Sequence, residues 1–127
     1  LPISVRHQAE VSVERLRLVP AFYGMTDALL GEAARLLQTE EFPAEHTVYQ
    51  EGEFGTSLYI IVRGSVELTA AGRTVLLEDG DSFGESALLE GAAQEENART
   101  LAPSVFLTLN RAGFAYLASK RDALTAV

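Results

Sequence analysis

The chain contains no cysteine, which excludes disulfide bonds, thiolate zinc sites, iron–sulfur clusters and a cysteine nucleophile. It has only two histidines, a poor ligand set for haem or zinc. No apolar run reaches about 18 residues, so the sequence predicts no transmembrane helix. The N-terminus also lacks the basic-then-apolar pattern of a secretory signal. We therefore expect a cytoplasmic location and no direct membrane insertion by this chain.

Positive charge is scarce, with 10 Lys and Arg against 18 Asp and Glu and a formal net charge of −8. Because affinity for nucleic acids comes mainly from cations on phosphates, we expect no nucleic-acid partner. Between Arg73 and Arg99 the sequence has seven acids and no base. The acids are Glu78, Asp79, Asp81, Glu85, Glu90, Glu95 and Glu96. This stretch is either a solvated acidic face or a loop that sets ligand choice by charge.

The length of 127 residues fits one compact domain, and helical patterns stand at its two ends. Residues 9–18 predict a short helix that ends before Pro20. Residues 26–38 follow with apolar side chains at helical spacing, and Thr26 is suited to cap their N-terminus. The predicted buried stripe consists of Leu29, Leu30, Ala33, Leu36 and Leu37. Near the other end, Asn110 is suited to cap a helix whose Phe114 and Leu117 face inward.

The central part of the chain, from about residue 42 to residue 109, reads as short β-strands. Runs rich in Val, Ile, Tyr, Leu and Thr are separated by Gly, Pro and Asp, which is typical of an antiparallel sandwich or barrel. The runs are TVYQ, SLYIIV, SVELTA, TVLL, ARTLA and SVFLTL. Ala71, Gly72 and Arg73 lie between two of them and predict a hairpin. The resulting order is helix, β-roll, helix, an α+β and mainly β class.

Three segments carry a resemblance to a known family. They are EGEFGTSLYIIVRGSVEL at 51–68, EDGDSFGESALL at 78–89 and ARTLAPSVFLTLNRAGF at 98–114. In this order they resemble the cyclic-nucleotide-binding domain, the sensory module of the catabolite activator protein, protein kinase A regulatory subunits and cyclic-nucleotide-gated channels. The resemblance covers about residues 17–125. It implies an antiparallel β-roll of the double-stranded jelly-roll type, flanked by N- and C-terminal helices.

The resemblance also implies a domain organisation and a phosphate-binding cassette. Residues 1–20 are expected to be a helical or linker segment, and residues 21–127 the domain, with its C-terminal lid helix truncated. In the family, Phe-Gly-Glu leads into a short helix whose N–H groups point at the cyclic phosphate. Gly84, Ser86 and Ala87 match these backbone-donating positions, and Glu85 matches the residue that accepts the ribose 2′-OH. The alternative for Glu85 is a surface carboxylate that caps the short helix.

The second half of the cassette departs from the family. Aligned without gaps, Gln94 stands where members have the Arg that pairs with the cyclic phosphate, and Glu95 follows it. A gapped alignment would move Asn97 or Arg99 to that position, but it needs deletions in the following strands. An ion pair at about 4 Å and a dielectric of about 20 is worth about 4 kcal/mol before desolvation. A net loss of about 3 kcal/mol weakens binding about a hundred-fold, so we expect weak or altered nucleotide affinity.

Two functions remain open from the sequence. The first is a non-catalytic regulatory domain that couples a cAMP- or cGMP-like ligand to an effector domain of a larger polypeptide, such as a channel or a kinase. The second is a degenerate domain of this family that acts as a protein interaction or assembly module without binding nucleotide. No Ser-His-Asp or paired-carboxylate arrangement stands out, so we predict no enzyme activity and no catalytic residue. A cyclic nucleotide is the only small ligand expected, and no cofactor is predicted.

A metal site and an unrelated fold are two further alternatives. Adjacent Glu95 and Glu96 could favour a cation, although neighbouring carboxylates on a loop are usually solvated, and we predict no metal site. A jelly-roll of the cupin type would need a His-rich metal set that two distant histidines do not supply.

Overall fold

The structure is a computed structural model that describes the backbone of residues 13–125 and the side chains of residues 13–120. Four helices, a 3₁₀ turn and eight strands make up these residues. In chain order they are α1 (Val13–Leu16), the 3₁₀ turn (Pro20–Phe22), α2 (Asp27–Leu36), β1 (Gln38–Phe42), β2 (Thr47–Tyr49), β3 (Ser57–Arg63), β4 (Ser65–Ala70), β5 (Arg73–Glu78), β6 (Ser82–Phe83), α3 (Glu85–Glu90), β7 (Asn97–Thr100), β8 (Ser104–Asn110) and α4 (Arg111–Thr125).

The strands form two four-stranded antiparallel sheets, which confirms the predicted β-roll between N- and C-terminal helices. The first sheet has the order β1-β8-β3-β6 and the second the order β2-β7-β4-β5. The hairpin predicted at residues 71–73 joins β4 to β5, where Ala71 and Gly72 both have positive φ, of 46° and 81°. Positive φ at both central residues gives the twist that two-residue hairpins need.

Two apolar clusters lie on opposite faces of the first sheet, because β3 and β8 are buried on both sides. Between the sheets, Ile61, Phe106 and Phe83 pack with Tyr49 and Tyr59. On the outer face, helical side chains cover the sheet. This second cluster includes Leu16, Phe22, Leu30, Leu37, Leu58, Leu107 and Leu117. The domain therefore has three layers, in which one sheet separates the helices from the other sheet.

The predicted helix signals are largely confirmed by the contacts. The Thr26 side chain accepts a hydrogen bond from the Leu29 N–H at 3.2 Å, and the Asn110 side chain accepts one from the Gly113 N–H at 2.8 Å. Leu117 is fully buried, and Phe114 packs against the helical cluster. The prediction for Leu36 was wrong. It is 37% exposed, because Leu37 already has extended backbone and takes the inward position at the end of the helix.

Two further differences concern the N-terminal segment and the edge strands. Of the helix predicted for residues 9–18, α1 contains Val13–Leu16, and residues 9–12 lie outside the described residues. Strands β1 and β6 were not predicted. β1 has exposed polar side chains and is held by its pairing with β8, and β6 is only two residues long. Within residues 13–125, none of the helices has the length and apolar character that a membrane span requires.

Candidate functional site

The Phe83-Gly84-Glu85 turn is fixed against strand β3. Phe83 pairs with Tyr59 across the sheet, and the two rings stack with centroids 4.9 Å apart. Gly84 has a φ of 86°, and a Cβ on it would lie 2.9 Å from the Ser57 carbonyl oxygen and 3.0 Å from the Tyr59 ring. Because a side chain at this position would be both strained and crowded, only glycine lets the chain turn here. The turn therefore holds the start of α3 in one place.

Helix α3 is short and is held on its inner side. Ala87 and Leu88 are buried, and Leu88 belongs to the helical cluster on the outer face of the first sheet. The helix ends at Gly91, whose left-handed backbone has a φ of 62°. Its backbone also packs directly against Gly55, where a Cβ would lie only 2.8 Å from the Leu88 nitrogen. The loop before β3 thus packs against the backbone of α3.

The segment after α3 is joined by backbone hydrogen bonds to the loop that precedes β3. The Gln94 N–H donates to the Glu53 carbonyl at 2.7 Å, and the Gln94 carbonyl accepts from the Gly52 N–H at 2.8 Å. A β-bridge joins Phe54 to Ala93 immediately before. Gln94 is consequently only 6% exposed. Its side chain therefore lies in the wall of the site, although a surface loop would ordinarily leave such a side chain in solvent.

The turn, α3 and the following segment enclose two adjoining cavities. The larger cavity has a volume of about 260 Å³ and is lined by Ser86, Ala87, Glu90, Ala93, Gln94, Glu95 and Glu96. The smaller cavity has a volume of about 140 Å³ and is lined by Leu68, Leu77, Ser82, Phe83, Gly84, Glu85, Ser86, Gln94 and Glu96. Three residues line both, so the cavities form one continuous site. Their combined volume lies at the lower end of the range for small-molecule sites, about 300–1,000 Å³.

The structure brings all six predicted site residues to this continuous site. Gly84 and Glu85 line the smaller cavity, Ala87 and Glu95 line the larger one, and Ser86 and Gln94 line both. The two residues of the gapped alignment make other contacts. The Asn97 side chain accepts a hydrogen bond from the Glu51 N–H at 2.9 Å. The Arg99 side chain pairs with Glu45 at 3.2 Å.

Sequence reasoning missed several residues of the site. Ser82 lies three residues before Glu85, a spacing that could have suggested its contact with that carboxylate. Leu68 and Leu77 come from the β4–β5 hairpin and gave no signal, because apolar residues on strands are ordinarily read as core. Tyr49 lies below the loop and donates a long hydrogen bond of 3.4 Å to Glu96, a partner 47 positions away in the sequence.

The charged side chains that line the site in the described residues are all negative. Glu85, Glu90, Glu95 and Glu96 line it, and no Lys or Arg is among the described residues that do so. Glu85 is half-buried; burial raises its pKa, and a 3.2 Å hydrogen bond from the Ser82 hydroxyl partly opposes that rise. Burial also raises the pKa of the Tyr49 hydroxyl, with a further contribution from Glu96. Tyr49 therefore stays a neutral donor to Glu96 at neutral pH.

Within residues 13–120, no group of three or more His, Asp or Glu side chains is placed to hold a metal ion. Glu95 and Glu96 are neighbours in sequence, but Glu95 is exposed whereas Glu96 is half-buried against Tyr49. The two carboxylates thus have different environments.

We expect Glu85→Gln to stabilise the protein at neutral pH while weakening ligand binding. The raised pKa of Glu85 means that the folded state binds its proton more tightly, so the group favours folding at low pH and loses that contribution as pH rises through the folded pKa. The variant should match the parent below pH of about 4.3 and exceed it at pH of about 7. Urea unfolding at several pH values measures the difference.

Glu90→Gln is the matched control for that pH series, because Glu90 is on the same short helix but exposed. We expect it to change the free energy of unfolding by less than about 0.5 kcal/mol at any pH. If Glu85→Gln gave no gain at neutral pH, the carboxylate would not be desolvated as described.

A family model and known relatives of this chain point to the same family. The family model described as "Cyclic nucleotide-binding domain" matches residues 39–121. A cGMP-dependent protein kinase of Drosophila melanogaster, isozyme 1, is 34% identical over 83% of this chain and 15% of its own length. The chain thus spans less than one-sixth of that curated relative.

Two solved structures also superimpose on the chain. The regulatory domain of Toxoplasma gondii PKA in co-crystals with cAMP is 26% identical, with a TM-score of 0.77 over 96% of this chain and 49% of its own. The regulatory subunit of a cAMP-independent protein kinase A from Trypanosoma cruzi, bound to guanosine, is 25% identical, with a TM-score of 0.75 over 91% of this chain and 42% of its own.

Proposed function

The chain belongs to the cyclic nucleotide-binding domain family, and from that premise we propose that it senses a small nucleotide-like ligand and passes the binding event to an effector in a larger polypeptide. The role is regulatory and non-catalytic. Ligand binding would stabilise one arrangement of α3 and the C-terminal helix over another, and that difference in stability is what a regulatory domain can transmit. The effector is a channel, a kinase or another output domain.

The observation that carries this proposal is the continuous site built by the Phe-Gly-Glu turn, α3 and the buried Gln94 segment. Glu85 lines the smaller cavity as a half-buried carboxylate, an acceptor suited to a ribose hydroxyl. Leu68, Leu77 and Phe83 supply apolar wall next to it. A few fixed polar groups beside apolar wall are the usual make-up of a small-molecule site.

We further propose that cyclic nucleotides bind this site weakly. Gln94 offers a neutral donor where a phosphate needs a cation, and Glu95 and Glu96 flank it. A charge-assisted pair with Arg is about twice as strong as a neutral hydrogen bond. The relatives solved with cAMP and with guanosine indicate that this fold accommodates both ligand types in those proteins, so the local charges decide the preference.

A thermal unfolding series with cAMP, cGMP and other nucleotides and nucleosides tests the sensory function. A ligand present at about 100 times its Kd stabilises the folded state by about 2.7 kcal/mol, which shifts Tm by several degrees. We expect at least one compound of this set to do so. If none raises Tm even at millimolar concentration, the sensory proposal fails.

That negative outcome would favour the second function, an interaction or assembly module without a nucleotide ligand. The observation in its favour is the same absence of a cation from the described lining of the site. The half-buried carboxylate of Glu85 argues for the sensory function, because partial desolvation of an acid inside a cavity costs free energy and would not help an assembly module.

A further inference from the structure

The charged side chains among the described residues that line the site are all carboxylates. Carboxylates accept and cannot donate when ionised, and the site has four of them, Glu85, Glu90, Glu95 and Glu96. Its side-chain donors are the Gln94 carboxamide and the hydroxyls of Ser82 and Ser86. The Ser82 hydroxyl already donates to Glu85. A ligand that matches this set must supply donors of its own and must not bring negative charge.

Arg99 and Arg111, the first two arginines that follow the site in the sequence, both have partners elsewhere. Arg99 pairs with Glu45. Arg111 donates to the Gly55 carbonyl oxygen. Gln94 itself is held through both of its backbone groups, which keeps a neutral side chain at this position.

Glu95 and Glu96 follow Gln94 in the sequence, and the structure shows that both also line the site. Glu96 is half-buried, lines both cavities and accepts from the Tyr49 hydroxyl. Glu95 lines the larger cavity next to it. A cyclic phosphate in the larger cavity would therefore face like charge, and on the ribose a 3′,5′-cyclic nucleotide keeps only the 2′-OH as a donor. An unphosphorylated ribonucleoside has free 2′-, 3′- and 5′-hydroxyls, each able to donate to a carboxylate.

We propose that this site selects an uncharged ribonucleoside over cyclic and linear nucleotides, with Glu85 accepting from the ribose 2′-OH and the Glu95–Glu96 pair accepting from the free hydroxyls at the other side of the sugar. The proposal rests on the sensory function above and specifies its ligand class. Charge complementarity sets the preference by repelling the phosphate as well as by accepting the hydroxyls.

Calorimetric titration of the 127-residue chain tests this selectivity without any variant. The probes are guanosine, adenosine, 2′-deoxyguanosine, cGMP, cAMP and 5′-GMP. We expect guanosine or adenosine to bind at least about ten-fold more tightly than the cyclic nucleotide of the same base, and 5′-GMP to bind more weakly than guanosine. Removal of the 2′-OH should cost about ten-fold or more, because Glu85 then loses its donor.

Glu95→Gln/Glu96→Gln provides a second readout, since it removes both charges and keeps the size of the side chains. The difference in affinity between guanosine and cGMP, here called the gap, should become smaller because the affinity for cGMP rises. Glu40→Gln/Glu41→Gln is the matched control, because these adjacent acids are exposed on β1 in the other part of the first sheet. It should leave the gap unchanged.

The outcomes separate this inference from the function on which it rests. If cAMP or cGMP binds as tightly as the nucleosides or more tightly, the preference is refuted while the sensory function stands. If none of the six probes binds at millimolar concentration, both are refuted. A gap that persists in Glu95→Gln/Glu96→Gln would refute the role given to these carboxylates.

Discussion

A chain carrying Gln94→Arg and Glu95→Ala should bind cAMP or cGMP at least about ten-fold more tightly than the parent. Arginine offers a planar, bidentate and permanently charged partner for the phosphate. At about 4 Å and an effective dielectric of about 20 the attraction is about 4 kcal/mol, and desolvation of the buried position removes part of it. Removing Glu95 takes away a carboxylate that would otherwise compete for the new arginine.

The matched control for this gain is Gln38→Arg/Glu41→Ala. It makes the same two residue changes and the same change in net charge. Both positions are exposed on β1, which belongs to the first sheet, whereas the β4–β5 hairpin that lines the site belongs to the second. We expect it to raise nucleotide affinity less than two-fold. The remaining effect is long-range electrostatic attraction, which salt screens with a Debye length of about 10 Å at 0.1 M. Calorimetry of both variants, with unfolding curves to verify that each is folded, gives the comparison. Equal affinities in the parent and in Gln94→Arg/Glu95→Ala would show that Gln94 does not face the phosphate.

Gly55→Ala should destabilise the protein by about 1–3 kcal/mol and also weaken ligand binding. Gly55 is buried, and a Cβ on it would lie 2.5 Å from the Ala87 Cβ and 2.8 Å from the Ala87 carbonyl carbon. The latter is backbone of α3, which cannot rotate away, so the helix must shift relative to Gln94. The free energy of unfolding from urea titration measures the first effect, and ligand affinity measures the second.

Gly31→Ala makes the same chemical change with the opposite expected sign. Gly31 is in the middle of α2, and no atom lies within 4 Å of the place its Cβ would take. Alanine restricts the unfolded chain and favours helix, so we expect a gain of about 0.5–1 kcal/mol and no change in ligand affinity. If Gly55→Ala proved as stable as the parent, α3 would not rest on this loop as the structure has it.

The fold could be predicted because its signals are local. Thr26, Asn110 and the Ala71–Gly72 turn each act within three or four residues, where hydrogen bonding and positive φ leave few alternatives. β1 could not be predicted in the same way. Its sequence QTEEF has one aromatic among polar residues, and pairing with β8 makes it a strand. Tertiary context decides such edge strands, and sequence periodicity does not report it.

The site, like the fold, has some features that local sequence signals predict and others that depend on tertiary contacts. Residues 84–87 are contiguous and were predicted from the turn and the resemblance, and Gln94 was predicted from the ungapped alignment with the family. The burial of Gln94 depends on hydrogen bonds to Gly52 and Glu53, more than 40 positions earlier in the chain. The contact between Tyr49 and Glu96 has the same character. Sequence reasoning could therefore propose the residues of the cassette, whereas the burial of Gln94 and the contact of Glu96 with Tyr49 required the three-dimensional structure.

A titration of ¹⁵N-labelled protein with guanosine and with cGMP, followed by amide chemical shifts, tests the central claim most directly. That claim is that the continuous site between the Phe-Gly-Glu turn and the Gln94 segment binds the ligand. We predict that the largest shift changes fall on residues 84–87 and 94–96, with smaller changes in the loop 52–55 that supports them. Changes concentrated on the β5 edge or on α4, with residues 84–87 and 94–96 unmoved at saturation, would contradict it.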